Sequence, residues 1–158
     1  MKFENRCVIP VARARLWDYM TVVPQVALCL PGVVEVNALE DGNFDGILAF
    51  KVGVVKLRLS GKISIELMDH HSRRAMMTLQ AADQRISGMI RGKLTMNLQE
   101  LAAEETELIV ETELNLFGKI GEFGQPIIKK KADQMMTEFA SNVAHGVAET
   151  PKSGGDAA

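Results

Sequence analysis

The feature that most constrains this chain is the spacing of apolar residues in its last long segment, residues 116–148. The apolar positions recur three or four residues apart, which places them along one face of a helix. A strand cannot use this period because its side chains alternate between two faces. The segment therefore predicts one long amphipathic helix whose apolar stripe needs a partner surface. The stripe comprises Ile120, Phe123, Ile127, Met135, Phe139, Val143 and Val147.

The segments before this helix alternate apolar and polar residues, which predicts β-strands. In residues 55–67, Leu57 and Leu59 fall on one face while Lys56 and Arg58 fall on the other. This pattern is typical of an antiparallel sheet with one face in water. Short turns between the strands favour a meander. The apolar face of this stretch is predicted to carry Val55, Leu57, Leu59, Ile63, Ile65 and Leu67.

Two short helices are expected ahead of the meander. They cover residues 11–20 and 24–29, and Pro24 suits the first turn of a helix because its missing N–H would be unpaired there anyway. The sequence thus predicts an α+β fold in which a curved antiparallel sheet of about six or seven strands grips one long C-terminal helix. Residues 1–149 are expected to form this domain, and residues 150–158 to form a flexible polar tail.

Bulk composition excludes several classes of function. The chain has 158 residues and a formal net charge of −2, so it lacks the basic surface of a nucleic-acid-binding protein. It shows neither a signal peptide nor an apolar run of about 20 residues. Cys7 and Cys29 lie in apolar surroundings and are expected to be small buried side chains in a reducing compartment. These features predict a cytoplasmic protein.

A search for catalytic and metal-binding patterns finds none with the required spacing. His70 and His71 occupy a turn, where adjacent side chains point apart, and are interpreted as solvated loop residues rather than metal ligands. No carboxylate pair falls on the apolar face of the sheet, so acid–base catalysis has no obvious agent. Thr112 is the one polar side chain predicted on that face. The glycine-rich residues 118–124 do not match a phosphate-binding loop, and are interpreted as small residues that let the helix start pass close to the sheet.

The predicted inner surface consists of Leu, Ile, Val, Met and Phe and has two interpretations. Such a surface is most often ordinary core, but the nine methionines also suit an adaptable apolar binding cavity. The sequence leaves both interpretations open. For a binding cavity, the candidate lining residues are Leu48, Phe50, Leu57, Leu59, Met77, Leu79, Leu94, Met96, Phe123, Ile127, Met135 and Phe139.

Residues 129–131 are three consecutive lysines inside the predicted last helix. Three consecutive residues sweep about 300° around a helix, so they cannot share one face. A solvated surface is the common role of such a run. The alternative is contact with an acidic partner surface or with anionic lipid heads. Each lysine would then contribute only about 1 kcal/mol, which makes the attachment weak and reversible.

An ordered set of short motifs runs through residues 1–148. It consists of residues 10–19 (PVARARLWDY), residues 29–32 (CLPG), residues 51–56 (KVGVVK) followed by Gly61, Gly88 and Gly92, and residues 117–124 (FGKIGEFG) with the later Phe139. This set resembles CoxG, the G-subunit family of carbon monoxide dehydrogenase, within the START-like, polyketide-cyclase-like (SRPBCC) superfamily. The resemblance implies the helix-grip fold of that superfamily.

The resemblance also implies a non-catalytic accessory protein. Family relatives are associated with molybdenum hydroxylases such as carbon monoxide dehydrogenase and are thought to recruit the enzyme to the membrane. A lipid-like or quinone-like ligand in the cavity is part of this expectation, with no covalently bound cofactor. Many relatives carry a long linker and an apolar tail that this sequence does not show, so the expected membrane contact is peripheral, at the inner membrane face.

Three functions are compatible with the sequence. The leading hypothesis is a binding module that holds a hydrophobic molecule in an apolar tunnel and docks an enzyme or links it to the membrane. The second is a cyclase- or dehydratase-type enzyme of the same fold, for which Thr112, Gln84 and Arg91 are poorly suited polar groups. The third is a docking protein with a filled core. The space between sheet and helix distinguishes these hypotheses.

Overall fold

A curved antiparallel sheet of seven strands holds one long C-terminal helix against its concave face. This computed structural model describes residues 1–150, so the predicted polar tail lies, from residue 151 onward, outside the described residues. The predicted α+β helix-grip architecture is confirmed. The strands are β1 (Lys2–Ile9), β2 (Val33–Ala38), β3 (Phe44–Val52), β4 (Val55–Asp69), β5 (Arg74–Asp83), β6 (Gly88–Ala102) and β7 (Glu105–Gly118).

The helices occupy the ends of the sheet and its concave side. Both short predicted helices are present, and the long helix follows β7 after a 3₁₀ turn. No helix among the described residues combines the length and apolar character needed to cross a membrane. The helices are α1 (Arg13–Met20), α2 (Val23–Ala27) and α3 (Gln125–Glu149), and the 3₁₀ turns are Gln84–Ile86 and Lys119–Phe123.

The strands from β2 to β7 form a meander in which each strand pairs with the next one along the chain. Strand β1 joins this meander beside β7, so the order across the sheet is β1-β7-β6-β5-β4-β3-β2. Every pairing is antiparallel. The N-terminal and C-terminal parts of the chain therefore meet at one edge of the sheet.

Two separate clusters of buried apolar side chains form the core. The first core cluster joins α1, the C-terminal half of α3 and the ends of β1, β6 and β7. The second core cluster joins β3, β4 and β6 to the 3₁₀ turn before α3. Among the buried members are Ile9, Leu16, Trp17, Leu98, Leu108, Val143 and Val147 in the first cluster, and Val52, Leu57, Leu59, Ile90 and Ile120 in the second.

A β-bulge changes which side chains face inward near the end of β4. Ile65 pairs with Met77 of β5, but Leu67 pairs with Met76, so the register shifts between Ile65 and Leu67. Such a bulge reverses the alternation beyond it. Leu67 is therefore on the outer face with Met76, and Met68 packs against the first core cluster. The prediction that Leu67 faces inward is wrong for this reason.

The long helix begins later than its apolar spacing predicts. Strand β7 continues to Gly118, and α3 starts only after Gly124. Gly118 has φ 67° and Gly124 has φ 82°, conformations that are strained for residues with a Cβ atom. These two glycines end the strand and separate the 3₁₀ turn from α3. The predicted continuous helix from residue 116 is therefore wrong in its first part.

A buried carboxylate stabilises the corner of the sheet where β5 ends. Asp83 is 1% exposed and accepts backbone hydrogen bonds from Arg58 N–H at 2.8 Å and Arg85 N–H at 3.0 Å. Its carboxylate also pairs with the Arg85 guanidinium at 3.0 Å. The side-chain hydrogen bonds from Arg85, followed by the Arg58 N–H, lower the pKa of Asp83 to about 2. The folded state therefore favours the charged form of this side chain.

We expect Asp83→Asn to lower the free energy of unfolding at neutral pH by about 2–3 kcal/mol, because Arg85 and the two N–H groups lose a charged acceptor. The pKa of Asp83 in the folded state lies below its ordinary value of 3.8. Its contribution to stability is therefore present above about pH 4 and is lost as the pH falls towards 2. Urea unfolding of both proteins between pH 2 and pH 7 measures this. A difference between them that does not change with pH would contradict the assignment.

Candidate functional site

The concave face has a central part that belongs to neither core cluster. The apolar side chains there lie on the inner side of β3, β4 and β5 and on α3, yet they remain partly exposed. Protein interiors are normally close-packed. Partly exposed apolar side chains between a sheet and a helix therefore indicate incomplete contact between the two. We call this region the central hollow, and it is defined by Leu48, Ile63, Ile65, Met77 and Met135.

Most of the predicted lining residues lie in the central hollow or at its borders. Ile63 and Ile65 were assigned to the inner face by alternation but were not among the predicted lining residues. The strand register shows that they belong there, because they pair directly with Leu79 and Met77. Nine of the twelve predicted lining residues lie in or beside the hollow. They are Leu48, Met77 and Met135 in the hollow, Leu94, Met96 and Phe139 packed on the first core cluster, and Phe50, Leu79 and Phe123 packed on the second.

Leu57 and Leu59 have a different environment from the other predicted lining residues. They are 2% and 5% exposed and are members of the second core cluster. Side chains with so little free surface contribute to the packed core rather than to a contact surface for a ligand. The alternation of apolar and polar residues correctly predicted that Leu57 and Leu59 lie on the concave face. It could not predict that they lie in the packed core cluster rather than among the partly exposed residues of the hollow.

Ile127 lies on the solvent side of α3 and does not line the hollow. It is 50% exposed, whereas its neighbour Ile128 is 9% exposed. Ile128 and Phe139 share one helix face because they are eleven residues, about three turns, apart. The sequence prediction assumed one continuous helix from Ile120 onward, so it assigned Ile127 to the same face as Ile120. The helix is in fact interrupted at Gly124. A 3₁₀ turn has about three residues per turn, so α3 begins with a new phase that the spacing did not reveal.

A pocket of about 270 Å³ opens between α3 and the β2–β3 side of the sheet. Phe50 and Met135 belong both to this pocket and to the predicted lining set, so the pocket adjoins the central hollow. We call it the mouth. Larger depressions of about 650 and 610 Å³ lie on the outer, polar face of the sheet. The mouth is lined by Pro31, Gly32, Ala49, Phe50, Lys131, Gln134, Met135 and Glu138.

The three lysines of α3 point in different directions. The Lys129 ammonium lies 5.5 Å from the centroid of the Phe3 ring, beside β1. On the other flank of the helix, the Lys131 ammonium lies 5.9 Å from the centroid of the Phe50 ring at the mouth. Lys130 is exposed between them. The run is therefore not one uniform solvated face, because two of its members approach aromatic rings on opposite sides of the hollow.

Asp133 connects α3 to the edge strand β1. It accepts a hydrogen bond from Asn5 Nδ2 at 2.7 Å and forms an ion pair with Lys129. The hydrogen bond from Lys129, followed by that from Asn5, lowers the pKa of Asp133. Asn5 is thus a polar side chain of the concave face in addition to Thr112, and the sequence analysis missed it because β1 joins the sheet through a long-range pairing.

Asp133 and the buried Asp83 each form an ion pair with a cationic side chain, which leaves both carboxylates poorly suited to act as an acid or base.

His70 makes a specific contact with the core. Trp17 Nε1 donates a hydrogen bond to His70 Nδ1 at 2.8 Å, and the two rings meet edge to face with centroids 5.6 Å apart. His70 is exposed in the turn, as predicted, but it also serves as the acceptor that the buried Trp17 indole N–H group needs. Within residues 1–150, no three His, Cys, Asp or Glu side chains are grouped so that they could hold a metal ion.

An uncharged stretch of the chain includes α2 and the turn that lines the mouth. Residues 19–34 contain no Asp, Glu, Lys, Arg or His. Leu28 is 66% exposed, and Val22 and Val34 are about half exposed. We call Val22, Leu28 and Val34 the α2 surface. Exposed apolar side chains in an uncharged stretch are typical of a contact surface, since charged residues are depleted from the centres of interfaces.

Solved structures with the same fold come from several bacteria. A conserved protein from Geobacillus kaustophilus is 13% identical with a TM-score of 0.84, and the match covers 94% of this chain and 96% of that one. The Zhui aromatase/cyclase from a Streptomyces species is 15% identical with a TM-score of 0.65 and 98% coverage of both chains. A START superfamily protein from Mycobacterium smegmatis is 11% identical with a TM-score of 0.67, and the match covers 94% and 97% of the two chains. Identities this low show the shared fold alone.

Comparison of the sequence itself with protein families gives a more specific result. The family model for CoxG, the G-subunit family of carbon monoxide dehydrogenase, matches residues 7–148. No curated protein matches the chain. The matched range begins in β1 and ends within α3, so it includes the concave face, the mouth and the α2 surface.

The inward phase of α3 can be tested with two neighbouring isoleucines. We expect Ile128→Ala to lower the free energy of unfolding by about 2–4 kcal/mol, because it removes buried methyl groups. Ile127→Ala should change it by less than about 0.5 kcal/mol, since that side chain is half exposed. Chemical denaturation of the two variants makes the comparison. Equal losses, or a larger loss for Ile127→Ala, would contradict the observed phase of the helix.

Proposed function

The chain belongs to CoxG, the G-subunit family of carbon monoxide dehydrogenase, and on that basis we propose that it is a non-catalytic accessory protein of a molybdenum hydroxylase. In this proposal it binds a hydrophobic, lipid-like or quinone-like molecule between the sheet and α3. It also docks the enzyme or links it to the membrane. The observation that carries the proposal is the central hollow, where apolar side chains remain partly exposed on a concave face.

The chemistry of the hollow favours an apolar guest. Leu48, Ile63, Ile65, Met77 and Met135 contribute only hydrocarbon and thioether surface. Covering apolar surface stabilises a complex by about 25 cal/mol per Å², or about 0.8 kcal/mol per methylene group. A chain of several methylenes would therefore bind without a charged contact inside the hollow. Methionine side chains are flexible, which allows Met77 and Met135 to adapt to guests of different shape.

The size of the mouth bears on how much of a guest it can hold. Its volume of about 270 Å³ is near the lower end of the about 300–1,000 Å³ typical of ligand sites. A guest the size of an isoprenoid quinone or a fatty acyl chain must therefore continue past Met135 into the central hollow. Binding on this scale requires rotamer changes of the flexible side chains there or a small outward movement of the N-terminal half of α3.

The cyclase- or dehydratase-type alternative has less support from the residues of the hollow. Gln84 and Arg91 are exposed, and Arg91 lies over the Phe117 ring on the outer face. Thr112 faces inward, but among residues 1–150 no hydrogen bond joins its hydroxyl to a carboxylate or imidazole that could activate it. Asp133 is engaged by Lys129 and Asn5. Binding without turnover is therefore the function that this geometry supports better.

The α2 surface is the best-suited region for docking. Its exposed Leu28, Val22 and Val34 lie in an uncharged stretch whose turn also lines the mouth. A partner covering these three side chains would bury exposed apolar area, which favours association. The same contact would bring the partner next to the entrance of the hollow, where a ligand could be received or delivered.

Ligand binding can be tested with two adjacent methionines on opposite faces of β5. Met77→Trp should fill the central hollow and weaken binding of decylubiquinone or oleic acid at least tenfold, a loss of about 1.4 kcal/mol. Met76→Trp carries the same substitution on the outer face and should bind like the unchanged protein. Titration calorimetry and native mass spectrometry measure both. Binding that is equal in the two variants, or absent from the unchanged protein, would refute the proposed cavity.

Docking can be tested at the α2 surface. Leu28→Asp should reduce co-purification with a carbon monoxide dehydrogenase-type molybdenum hydroxylase, or cosedimentation with lipid vesicles, at least tenfold. An Asp in the centre of an apolar contact is left desolvated without a partner. Leu101→Asp, at an exposed apolar residue near the β6–β7 turn, is the matched control and should have no effect. Equal behaviour of the two variants would exclude the α2 surface as the docking site.

A further inference from the structure

Lys131 is a partly buried cation at the mouth with no anionic partner. Its ammonium lies 5.9 Å from the centroid of the Phe50 ring, and no carboxylate among residues 1–150 forms an ion pair with it. Lys129, by contrast, is paired with Asp133. We propose that Lys131 binds the head group of the ligand and that this head group is anionic. This inference rests on the proposed ligand-binding function and specifies the class of its ligand.

The side chains around Lys131 leave its charge available. Glu138 also lines the mouth, but it is seven residues further along α3, which corresponds to about 10 Å along the helix axis. Gln134 is one turn away and is uncharged. The Phe50 ring holds the ammonium near the apolar wall through a cation–π contact, which is weak at exposed sites. An anion arriving at the mouth would therefore meet an oriented ammonium group that forms no ion pair with any carboxylate among residues 1–150.

The position of Lys131 sets the orientation of the ligand. Phe50 and Met135 line the mouth together with Lys131, and Met135 is also part of the central hollow. A negatively charged head at Lys131 thus places the attached hydrocarbon chain past Met135 and into the apolar region. A charge-assisted hydrogen bond is roughly twice as strong as a neutral one. The attraction between the Lys131 ammonium and an anionic head group is also stronger beside the apolar wall, because water is partly removed there and the local dielectric constant is low.

The inferred ligand is an amphiphile with a carboxylate or phosphate head. A neutral molecule of the same length would fill the hollow equally well but would leave the partly desolvated ammonium unpaired. The structure therefore predicts discrimination by head group rather than by chain length. Lys130 provides an internal reference, because it adds the same charge one residue away while remaining exposed.

The experiment compares oleic acid, oleoyl lysophosphatidic acid and oleyl alcohol, which share the same hydrocarbon chain. Dissociation constants for the full chain at neutral pH and low salt are measured by titration calorimetry. The unchanged protein should bind at least one of the two anionic ligands at least tenfold more tightly than the alcohol. Lys131→Met keeps the apolar stem but removes the charge, so it should abolish this preference. Lys131→Arg and Lys130→Met should retain it.

The possible results separate this inference from the proposed function. If oleyl alcohol binds and the anionic ligands show no advantage, the head-group inference is overturned while the apolar site stands. Equal loss of preference in Lys131→Met and Lys130→Met would also overturn it, since a general effect of surface charge would then suffice. If none of the three ligands binds the unchanged protein, this inference fails, and the proposed function fails with it only if decylubiquinone does not bind either.

Discussion

The whole architecture depends on how α3 is anchored to the sheet. Its C-terminal half buries Val143 and Val147 in the first core cluster against α1 and the ends of β1, β6 and β7. The N-terminal half buries Ile128 and is attached to β1 through the hydrogen bond from Asn5 to Asp133. Between these attachments, the apolar side chains that define the central hollow remain partly exposed on the concave face.

The two core clusters have complementary roles around that hollow. The second core cluster is closed by the 3₁₀ turn, with Ile120 fully buried, and by the Asp83–Arg85 pair at the nearby corner of the sheet. Both ends of the concave face are therefore rigidly packed, while Leu48, Met77 and Met135 between them are not. Partly exposed apolar surface is unfavourable in water. Under the proposed function, a guest that covers this surface would stabilise the folded state, because it would bind the folded chain and not the unfolded one.

The charged side chains of α3 differ in whether they already have a partner. Lys129 and Asp133 form an ion pair, and Asp133 also accepts a hydrogen bond from Asn5 of β1. Lys131, two residues from Lys129 and therefore about 200° around the helix, faces the mouth on the opposite flank. The uncharged α2 surface lies beside the same mouth. Entrance, candidate head-group contact and candidate docking surface thus lie together at one side of the protein, which suits a module that exchanges its ligand with a partner.

Local sequence patterns were enough to predict the class of fold and most of the concave face. The period of α3 and the alternation of Leu57, Leu79 and Leu94 depend on local geometry, which repeats along the chain whatever the tertiary contacts are. The phase of α3 at Ile127, the inward turn of Met68 and the approach of Asn5 to Asp133 could not be read from those patterns. Each depends on a break in periodicity or on a pairing between distant segments. The same limit applies to the hollow, because apolar side chains look identical in sequence whether their partners reach them or not. Which apolar side chains are covered and which remain partly exposed is set by the packing of distant segments against one another, and it becomes visible only in three dimensions.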